Sequence, residues 1–577
     1  GQKMAGQKMW AKPKNATLAA ITQAFDDAGA AGPAWQGTAP KNRAQILNEI
    51  ARLYELHASE LYQLLTTEAG KTFDDAVGEL REAVDFCRYY AAEAARFNTK
   101  SSGRGVVVAI SPWNFPLAIF TGQIVAALAA GNTVIAKPAE QTPRIANLAC
   151  RLMHAAGLPQ AALHLLCGAG SKVGAALVSH GRADMVVFTG STQTAKRIEA
   201  AIATSGKPHI PLIAETGGLN AMIVDASALL ERAVDDIVTS AFKSAGQRCS
   251  ALRVLYVQDD IAAPLTEMII GATTALKTGR PDSANTDIGP VIDAAAKDRI
   301  ETHVENALAK GDLIWRGQAP KGATYCAPAL VRITGIADLE TEVFGPVLHI
   351  APYPAGGEAA VVAAINNAGY GLTFGIHSRI DANINAVVAG IEVGNIYVNR
   401  NQIGAVVGSQ PFGGEGLSGT GPKAGGPLYL PAFGTNAKAA DSDNSHHDHD
   451  TSDTKKNSGA NLPGPDGEDN VYTTLARGTV LVTHPDATVR RTLSARATAK
   501  GNHVIEDAGV PRDVLEVDAV LTAPGADISQ LRQWMNAASS TIIPLIMDQG
   551  ADVWLRRERH ICRDLTASGG NLALLSR

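Results

Sequence analysis

Three side chains of this sequence together offer the chemistry needed to oxidise an aldehyde: Cys249, Glu215 and Asn114. Cys249 lies in residues 246–250 (GQRCS), after an Ala-rich helical stretch. The neighbouring Arg248 and nearby backbone N–H groups are expected to favour its thiolate, which is the nucleophilic form. Glu215 follows an apolar run, and a carboxylate there can take a proton from water. Asn114 can donate its amide N–H to an oxyanion, together with the N–H of Cys249.

Each of these residues also has an ordinary structural interpretation. A free cysteine such as Cys249 is commonly a small core residue. Asn114, between Trp and Phe, can simply form a turn. Glu215 can be a solvated charge at the end of a strand. The choice between these interpretations depends on what else the chain contains.

Seven short motifs occur in a fixed order along the chain: SPWNFP, KPAEQTP, FTGST, ETGG, GQRCS, EVFGPV and QPFGG. The set resembles the NAD(P)-dependent aldehyde dehydrogenase superfamily from about residue 13 to about residue 435. Residues 246–257, residues 399–414 and the segment LPGPDGEDNVY at 462–472 are similar to glutamate γ-semialdehyde (pyrroline-5-carboxylate) dehydrogenases. The last segment resembles the form found in bifunctional proline utilization A proteins.

The resemblance implies NAD as the cofactor. It places Lys137 and Glu140 at the adenosine ribose, where a carboxylate accepts from a 2′-OH and repels a 2′-phosphate, so NAD is expected over NADP. It places Gly190 and Ser191 against the pyrophosphate. The remaining cofactor-binding residues that it implies are Ile110, Pro112, Trp113, Gly168, Glu342 and Phe344, the last two at the nicotinamide ribose. Each pair also has an ordinary alternative. Lys137 and Glu140 can form a charged surface turn, and Gly190 and Ser191 can form a common strand-to-helix turn. Glu342 can be a solvated charge beside a core residue, Phe344.

Substrate binding is expected from fewer residues. Ser250 and the loop at Gly404 and Ala405 match the positions where such semialdehyde dehydrogenases anchor the substrate's α-carboxylate. The family often has serine in place of Ala405, but backbone N–H donors survive that change. Phe115 and Phe412 are expected to enclose the aliphatic part of the substrate, or else to be core residues.

Apolar segments and turns alternate along most of the chain, which predicts an α/β protein with parallel sheets. The resemblance implies the aldehyde dehydrogenase fold, a Rossmann-like NAD-binding domain plus an α/β catalytic domain, followed by a small C-terminal Rossmann-like domain. The expected boundaries are 13–216 for the NAD-binding domain, 217–403 for the catalytic domain, 404–436 for the substrate-anchor loop and oligomerisation region, 437–461 for a disordered linker, and 462–577 for the C-terminal domain and tail.

Composition limits the partners. Hydrophobic content of 46% and charged content of 19% describe a globular protein, and a net charge of −5 gives no reason to expect nucleic acid or a membrane surface. The six cysteines lack paired spacing, so neither a metal site nor a disulfide framework is expected. No signal-peptide core opens the chain, and a cytoplasmic location is expected. The GQKM repeat is excluded from the fold, and His446, His447 and His449 are expected to be solvated.

The expected function is NAD-dependent oxidation of L-glutamate γ-semialdehyde to L-glutamate in proline catabolism, through a thiohemiacetal and a thioester on Cys249. The expected partners are this small substrate and a proline dehydrogenase, fused or separate, and a homo-oligomer is expected. One alternative is a dehydrogenase for another semialdehyde, such as succinate semialdehyde. Another is a non-catalytic, dehydrogenase-like assembly protein. The tail at 564–577 is expected to cover the active-site region and support assembly.

Overall fold

Within the described residues, four helices precede the first β-strand: α1 (Leu18–Gln36), α2 (Pro40–Leu56), α3 (Ala58–Ala69) and α4 (Phe73–Arg96). The structure is a computed structural model that describes residues 12–96, 102–322, 324–435, 459–511, 516–538, 541–547 and 551–566. The Thr17 side chain begins α1 by accepting from the Ala20 N–H at 3.2 Å. The apolar faces of α2 and α4 meet in a core that includes Leu47, Ile50 and Leu80.

The first sheet has five parallel strands in the order β3-β2-β1-β4-β5. They are β1 (Val106–Ile110), β2 (Thr133–Lys137), β3 (Leu163–Leu165), β4 (Met185–Thr189) and β5 (Leu212–Glu215), with helices α5 (Ala118–Ala129), α6 (Pro143–Ala155), α7 (Ala175–Ser179) and α8 (Thr192–Ala203). Every residue of β1 and β2 is buried, as in a parallel sheet covered on both faces. The strand order reverses between β1 and β4, and doubly wound sheets bind ligands at that crevice.

The second sheet has ten strands in the order β15-β16-β21-β13-β12-β6-β7-β10-β9-β8. They are β6 (Ala221–Val224), β7 (Val254–Gln258), β8 (Leu313–Arg316), β9 (Ala329–Arg332), β10 (Val347–Tyr353), β12 (Thr373–His377), β13 (Asn395–Val398), β15 (Ala460–Asn461), β16 (Glu468–Ala476) and β21 (Arg556–Asp564). Two short strands, β11 (Tyr370–Gly371) and β14 (Glu415–Gly416), pair separately. The helices of this part are α9 (Leu230–Phe242), α10 (Asp259–Ala275), α11 (Ala294–Lys310), α12 (Glu358–Asn367), α13 (Asp381–Gly390) and α14 (Tyr429–Ala432).

The C-terminal part contributes to two sheets. Its four-stranded parallel sheet has the order β18-β17-β19-β20 and consists of β17 (Thr479–Thr483), β18 (His503–Asp507), β19 (Ala519–Thr522) and β20 (Leu545–Met547), with α15 (Ala487–Ala499), α16 (Ile528–Ala538) and α17 (Ala551–Trp554). The flanking strands β16 and β21 pair with each other, and β21 also pairs with β13. We call these two strands the C-terminal ribbon. It extends the sheet of the catalytic region, which the sequence did not predict.

The expected linker at 437–461 ends in a strand, because Ala460 and Asn461 pair with Tyr472 and Val471. That end of the linker was therefore predicted wrongly. Residues 437–458, the GQKM repeat and the last eleven residues of the expected tail, 567–577, lie outside the described residues. The other domain boundaries remain predictions. Among the described residues, no helix is long and apolar enough to cross a membrane.

A buried ion pair fixes the start of α5, which follows the SPWNFP loop. Glu79 accepts from the N–H groups of Leu117 and Ala118 at 2.8 and 3.3 Å. Its other oxygen lies 2.7 Å from Lys71 Nζ, with both side chains almost fully buried. The carboxylate thus satisfies helix N–H groups and a cation at once.

We expect Glu79→Ala to lower the free energy of unfolding by about 3 kcal/mol, because it leaves the Lys71 charge buried without its partner. The midpoint of thermal unfolding, followed by fluorescence, measures this. Glu55→Ala is the control, since it breaks an exposed ion pair with Arg88 and should change stability by less than about 1 kcal/mol. Equal midpoints for the two variants would contradict the prediction.

Candidate active site

The backbone before Cys249 is left-handed at three successive residues. Ser244, Ala245 and Gly246 have φ values of 58°, 55° and 67°. A Cβ at Gly246 would overlap the Gly345 carbonyl oxygen, so this position requires glycine. A left-handed conformation costs roughly 1–2 kcal/mol for a residue with a side chain, so neighbouring groups must hold the turn.

Arg253, the residue directly before β7, holds this turn. Its guanidinium is fully buried and donates to the carbonyl oxygens of Gly246 at 2.7 Å and Arg248 at 3.0 Å. The same group donates to Glu342 Oε1 from Nε at 3.0 Å and from Nη2 at 2.9 Å. Sequence analysis missed Arg253. The signal was a charged residue within the apolar run 251–257, since a buried charge requires partners.

Two amides fix the backbone around Cys249. Asn220 Nδ2 donates to the carbonyl oxygens of Cys249 at 2.6 Å and Ala251 at 3.0 Å. Asn114 Nδ2 donates to the Gln247 carbonyl oxygen at 3.1 Å. The structure therefore brings Asn114 to the cysteine turn. An amide nitrogen carries two N–H groups, so a second one is available for an oxyanion.

A cavity of about 100 Å³ lies beside Cys249. The residues predicted for catalysis or substrate binding that line it are Cys249, Glu215, Ser250, Gly404, Ala405, Phe115 and Phe412. Phe115 and Phe412 are only partly buried by the protein, so they are wall residues rather than members of a closed core. Gly404 has φ of +74° with no atom within 4 Å of a Cβ position, which leaves its backbone open to the cavity.

The electrostatic prediction for the thiol is wrong in this structure. Burial, together with the carboxylates of Glu342 and Glu215, raises the pKa of Cys249 to about 12, and Arg248 opposes this rise only weakly. The reason is that Arg248 donates to Asp75 Oδ1 at 2.8 Å. Its charge is already compensated, and the thiol is held neutral.

Glu215 lies at the end of β5, where burial raises its pKa well above the usual range. The Gly414 N–H, 2.9 Å from Oε2, and the nearby Lys423 ammonium oppose that rise. Its other oxygen, Oε1, is buried and has no hydrogen-bond partner in the structure. Glu215 is therefore a carboxyl group with a raised affinity for a proton, which suits a base for water.

Glu82 is a second acidic group in the cavity wall that sequence analysis missed. It lies on α4 on the same helical face as Glu79 and Phe86, at spacings of three and four residues. Burial raises its pKa to about 7, with Glu79 adding to the rise and Arg248 opposing it. The available signal was the run of acidic residues Asp75, Glu79 and Glu82 at spacings of four and three along one helix face.

The crevice between β1 and β4 fits a dinucleotide. α8 begins there with Ser191 as its N-cap and has no acidic residue in its first turn, so its N–H groups can meet an anion. A Cβ at Gly190 would overlap the Phe188 ring, which keeps this turn open. Ile110 and Pro112 are buried where β1 ends, at the same edge of the sheet.

Lys137 and Glu140 follow β2 at this edge. Lys137 Nζ donates to the Pro138 carbonyl oxygen at 3.1 Å, and Glu140 Oε2 accepts from the Gly170 N–H at 2.9 Å. Gly170 begins a π-helix, Gly170–Gly174, which leads into α7; such irregular turns are frequent at binding sites. Gly168 precedes it with φ of +146°.

Trp113 and Phe344 meet on the other side of the crevice. Their rings are edge to face at 5.6 Å, and the Arg253 guanidinium lies 5.1 Å from the Phe344 ring centroid. Glu342 thus reaches the crevice already paired with Arg253. A Cβ at Gly217 would overlap the Glu342 carboxylate, so the ETGG motif provides the space for it.

Comparison with known proteins agrees with this geometry. Residues 3–438 match the model of the aldehyde dehydrogenase family. The chain belongs to this family. Its α/β architecture, with a five-stranded parallel sheet and a larger sheet behind the cysteine turn, is the aldehyde dehydrogenase fold that the sequence predicted.

Three proteins similar to this chain have names that describe their activity or bound cofactor. The bifunctional protein PutA of Salmonella typhimurium is 52% identical over 72% of this chain, which spans only 33% of that protein. A 1-pyrroline-5-carboxylate dehydrogenase of Bacillus subtilis is 37% identical, covering 71% of this chain and 83% of that protein. The structure of 1-pyrroline-5-carboxylate dehydrogenase from Thermus with bound NAD matches with a TM-score of 0.70 at 34% identity, covering 73% of this chain and 85% of that one.

Within the described residues, no group of three His, Cys, Asp or Glu side chains is arranged to hold a metal ion. Cys87, Cys150, Cys167, Cys326 and Cys562 are buried free thiols. Cys249 is the more accessible thiol, which makes its reactivity measurable in their presence.

We expect Glu342→Gln to speed alkylation of Cys249 by iodoacetamide at pH 7, because it removes the largest carboxylate contribution to the raised thiol pKa. Each pKa unit is worth about tenfold in thiolate fraction. Arg248→Met should slow the reaction far less than tenfold. Mass spectrometry of the modified protein gives the rates. A larger effect for Arg248→Met would restore the original prediction from the sequence.

Proposed function

We propose that this protein oxidises L-glutamate γ-semialdehyde to L-glutamate with NAD as the cofactor. The observation that carries the proposal is the single cavity lined by Cys249, Glu215, Glu82 and the Ser250 and Gly404 positions. A thiol, a base, an acidic side chain and open backbone donors together suit an aldehyde that also carries an amino acid group. The names of the Bacillus and Thermus relatives support the same substrate and cofactor.

The first half of the reaction is attack on the aldehyde. A carboxylate that lines the cavity takes the Cys249 proton, the sulfur bonds to the carbonyl carbon, and the carbonyl π-electron pair passes to the oxygen, which gives the thiohemiacetal oxyanion. The oxyanion accepts from Asn114 Nδ2 and from the Cys249 N–H. A bound nicotinamide would take up the hydride that leaves this carbon. What remains on Cys249 is a thioester.

The second half is hydrolysis. Glu215 takes a proton from water, the water oxygen bonds to the thioester carbon, and the carbon–sulfur bond breaks with the electron pair returning to Cys249. The product carries the new carboxylate. Because burial has raised the pKa of Glu215, this base is protonated at low pH, and hydrolysis should slow as pH falls.

The cavity has a complementary group for each α-substituent of the substrate. Ser250 and the backbone N–H groups at Gly404 and Ala405 would hold the α-carboxylate. The Glu82 carboxylate would meet the α-ammonium group, and that cation would in turn favour the ionised form of Glu82. Succinate semialdehyde has no ammonium group, so Glu82 favours glutamate semialdehyde over this alternative.

The role of the whole protein rests on its relatives. The PutA relative is named bifunctional, and we propose that a proline dehydrogenase, fused or separate, supplies the substrate of this chain. We also propose a cytoplasmic location and a homo-oligomeric state. An affinity pull-down with the proline dehydrogenase domain and light scattering of the purified chain would test these two associations.

The first measurement is NADH formation, followed by absorbance, with glutamate semialdehyde, succinate semialdehyde and propanal in separate reactions. We expect a preference for glutamate semialdehyde in kcat/KM and no detectable rate with Cys249→Ala, since no other residue in the cavity supplies a thiol. Cys326→Ala is the control, because its thiol lies in a different core. Activity that persists in Cys249→Ala would reject the mechanism, and equal rates on all three aldehydes would reject the substrate.

We expect Glu82→Gln to raise KM for glutamate semialdehyde about tenfold, because a charge-assisted hydrogen bond is worth about 1.5–3 kcal/mol. The kinetic constants for propanal should be unchanged, since it has no ammonium group. Glu60→Gln, on the neighbouring helix α3 and away from the cavity, is the control. An equal rise in KM for both aldehydes would show that Glu82 acts only on the shape of the cavity.

A further inference from the structure

Lys423 is a buried lysine directly behind Glu215. It is 2% exposed, and its Nζ donates to Asn395 Oδ1 at 2.7 Å and to the Gly413 carbonyl oxygen. A Cβ at Gly413 would meet Glu215 Oε1 at 3.0 Å and Lys423 Cγ at 3.2 Å, so the two side chains lie on the same side of this glycine. Residues 419–423 (GTGPK) thus place the Lys423 ammonium behind the Glu215 carboxylate.

The partner of Lys423 comes from the C-terminal ribbon. Glu558 on β21 is 3% exposed, and its Oε2 accepts from the Lys423 N–H at 2.6 Å. Its Oε1 accepts from the Tyr472 hydroxyl at 2.6 Å, on the neighbouring strand β16. Glu558 also borders a small cavity on the ribbon side, together with Glu415. Glu558 therefore holds the Lys423 backbone, and the charges of Glu558 and Glu215 both act on its buried ammonium.

Glu215 needs such a cation for its role. One of its oxygens accepts from the Gly414 N–H, and the other has no hydrogen-bond partner. A buried carboxylate without a compensating charge stays protonated and cannot take a proton from water. Lys423 is the cation that opposes the rise in the pKa of Glu215.

We propose that Lys423 is a positioning residue that keeps the Glu215 carboxylate ionised during hydrolysis, and that Glu558 of the C-terminal ribbon keeps Lys423 charged and in place. This inference rests on the proposed function, because it assigns a role within the hydrolytic step. It links the part of the chain beyond residue 459 to the chemistry at Cys249, although none of the described residues of that part lines the active-site cavity.

Other charged groups near this cluster must be counted as well. The carboxylates that act on Lys423 are Glu558 from β21, Glu215 from β5 and Glu415 from β14. His560 on the same ribbon strand is neutral, because burial lowers its pKa to about 3, with Lys423 adding to that effect. Arg477 pairs with Glu415 at 3.2 Å and compensates its charge. This leaves Glu558 and Glu215 as the carboxylates that chiefly keep Lys423 protonated, and burial nevertheless lowers the pKa of Lys423 to about 8.

The sign of each pH effect follows. Removing the ammonium with Lys423→Met raises the pKa of Glu215 further. The low-pH limb of the pH–rate profile, where the hydrolysis rate falls as Glu215 binds a proton, therefore moves to higher pH. Removing the carboxylate with Glu558→Gln lowers the pKa of Lys423 below its present value, so Lys423 loses its proton sooner as pH rises. The high-pH limb then moves to lower pH. A purely structural defect would scale the rates without moving either limb.

The experiment uses p-nitrophenyl acetate as the probe, since it acylates a thiol without NAD or the aldehyde substrate. The burst of p-nitrophenol reports acylation of Cys249, and the steady rate that follows reports hydrolysis. We expect Lys423→Met to keep the burst and to slow the steady rate about tenfold at pH 7.5, since one pKa unit is about tenfold. Lys423→Arg should recover much of the loss. Glu558→Gln should keep the burst and shift the high-pH limb by about one unit.

Matched controls are Lys310→Met, an exposed lysine at the end of α11, and Glu392→Gln, an exposed glutamate that borders the same small cavity as Glu558. Both should match the original protein. A normal burst with unmoved limbs in Lys423→Met and Glu558→Gln would overturn this inference alone. Absence of a burst in the unchanged protein would overturn the proposed thiol chemistry, and this inference with it.

Discussion

The buried guanidinium of Arg253 is the contact on which the site depends. It directly precedes β7, and it binds the carbonyl oxygens of Gly246 in the left-handed turn and of Arg248 beside Cys249. These hydrogen bonds help to hold the backbone in its strained left-handed conformation. The same guanidinium pairs with Glu342 at the cofactor crevice. One side chain therefore fixes the nucleophile and the crevice wall relative to each other, which hydride transfer between them requires.

The active-site cavity combines acidic groups with a neutral thiol at rest. Burial raises the pKa of Cys249, Glu215 and Glu82 alike, because each loses water without gaining a full partner. In the proposed reaction, Glu82 meets its complement when the ammonium group of the substrate binds, and Cys249 does so when its negative charge passes to an oxyanion held by N–H donors. Raised pKa values in a cleft are typical of sites that exchange protons. Stability of the fold does not explain these buried acidic groups, because ion-paired or apolar side chains at the same positions would stabilise the protein more.

Sequence predicted the fold and the central residues because both leave local signals. Alternating apolar runs predict the parallel sheets, and Cys249, Glu215 and Asn114 lie in short motifs whose order is specific. Arg253, Glu82 and Lys423 could not be found in the same way, since each acts through partners that are distant in sequence. Glu558 is 135 residues from the backbone group that it binds. The prediction that Arg248 would favour the Cys249 thiolate failed for a related reason. The sequence shows that Arg248 is adjacent to the thiol, but only the structure shows that its guanidinium forms an ion pair with Asp75.

The C-terminal ribbon has a buried face that is polar, although β21 lies inside the sheet between β16 and β13. Alternate residues of β21 on this face are Glu558, His560, Cys562 and Asp564, and all four are buried. Cys562 and Glu558 bind the loop that carries Arg400, Gln410 and Lys423, and Glu468 of β16 binds the first two. An apolar face would cover the loop but would specify no orientation for it, whereas these hydrogen bonds set its two ends. Because that loop contains Gly404 at the cavity and Gly414 at the base, fixing its ends fixes both substrate-binding and hydrolytic groups.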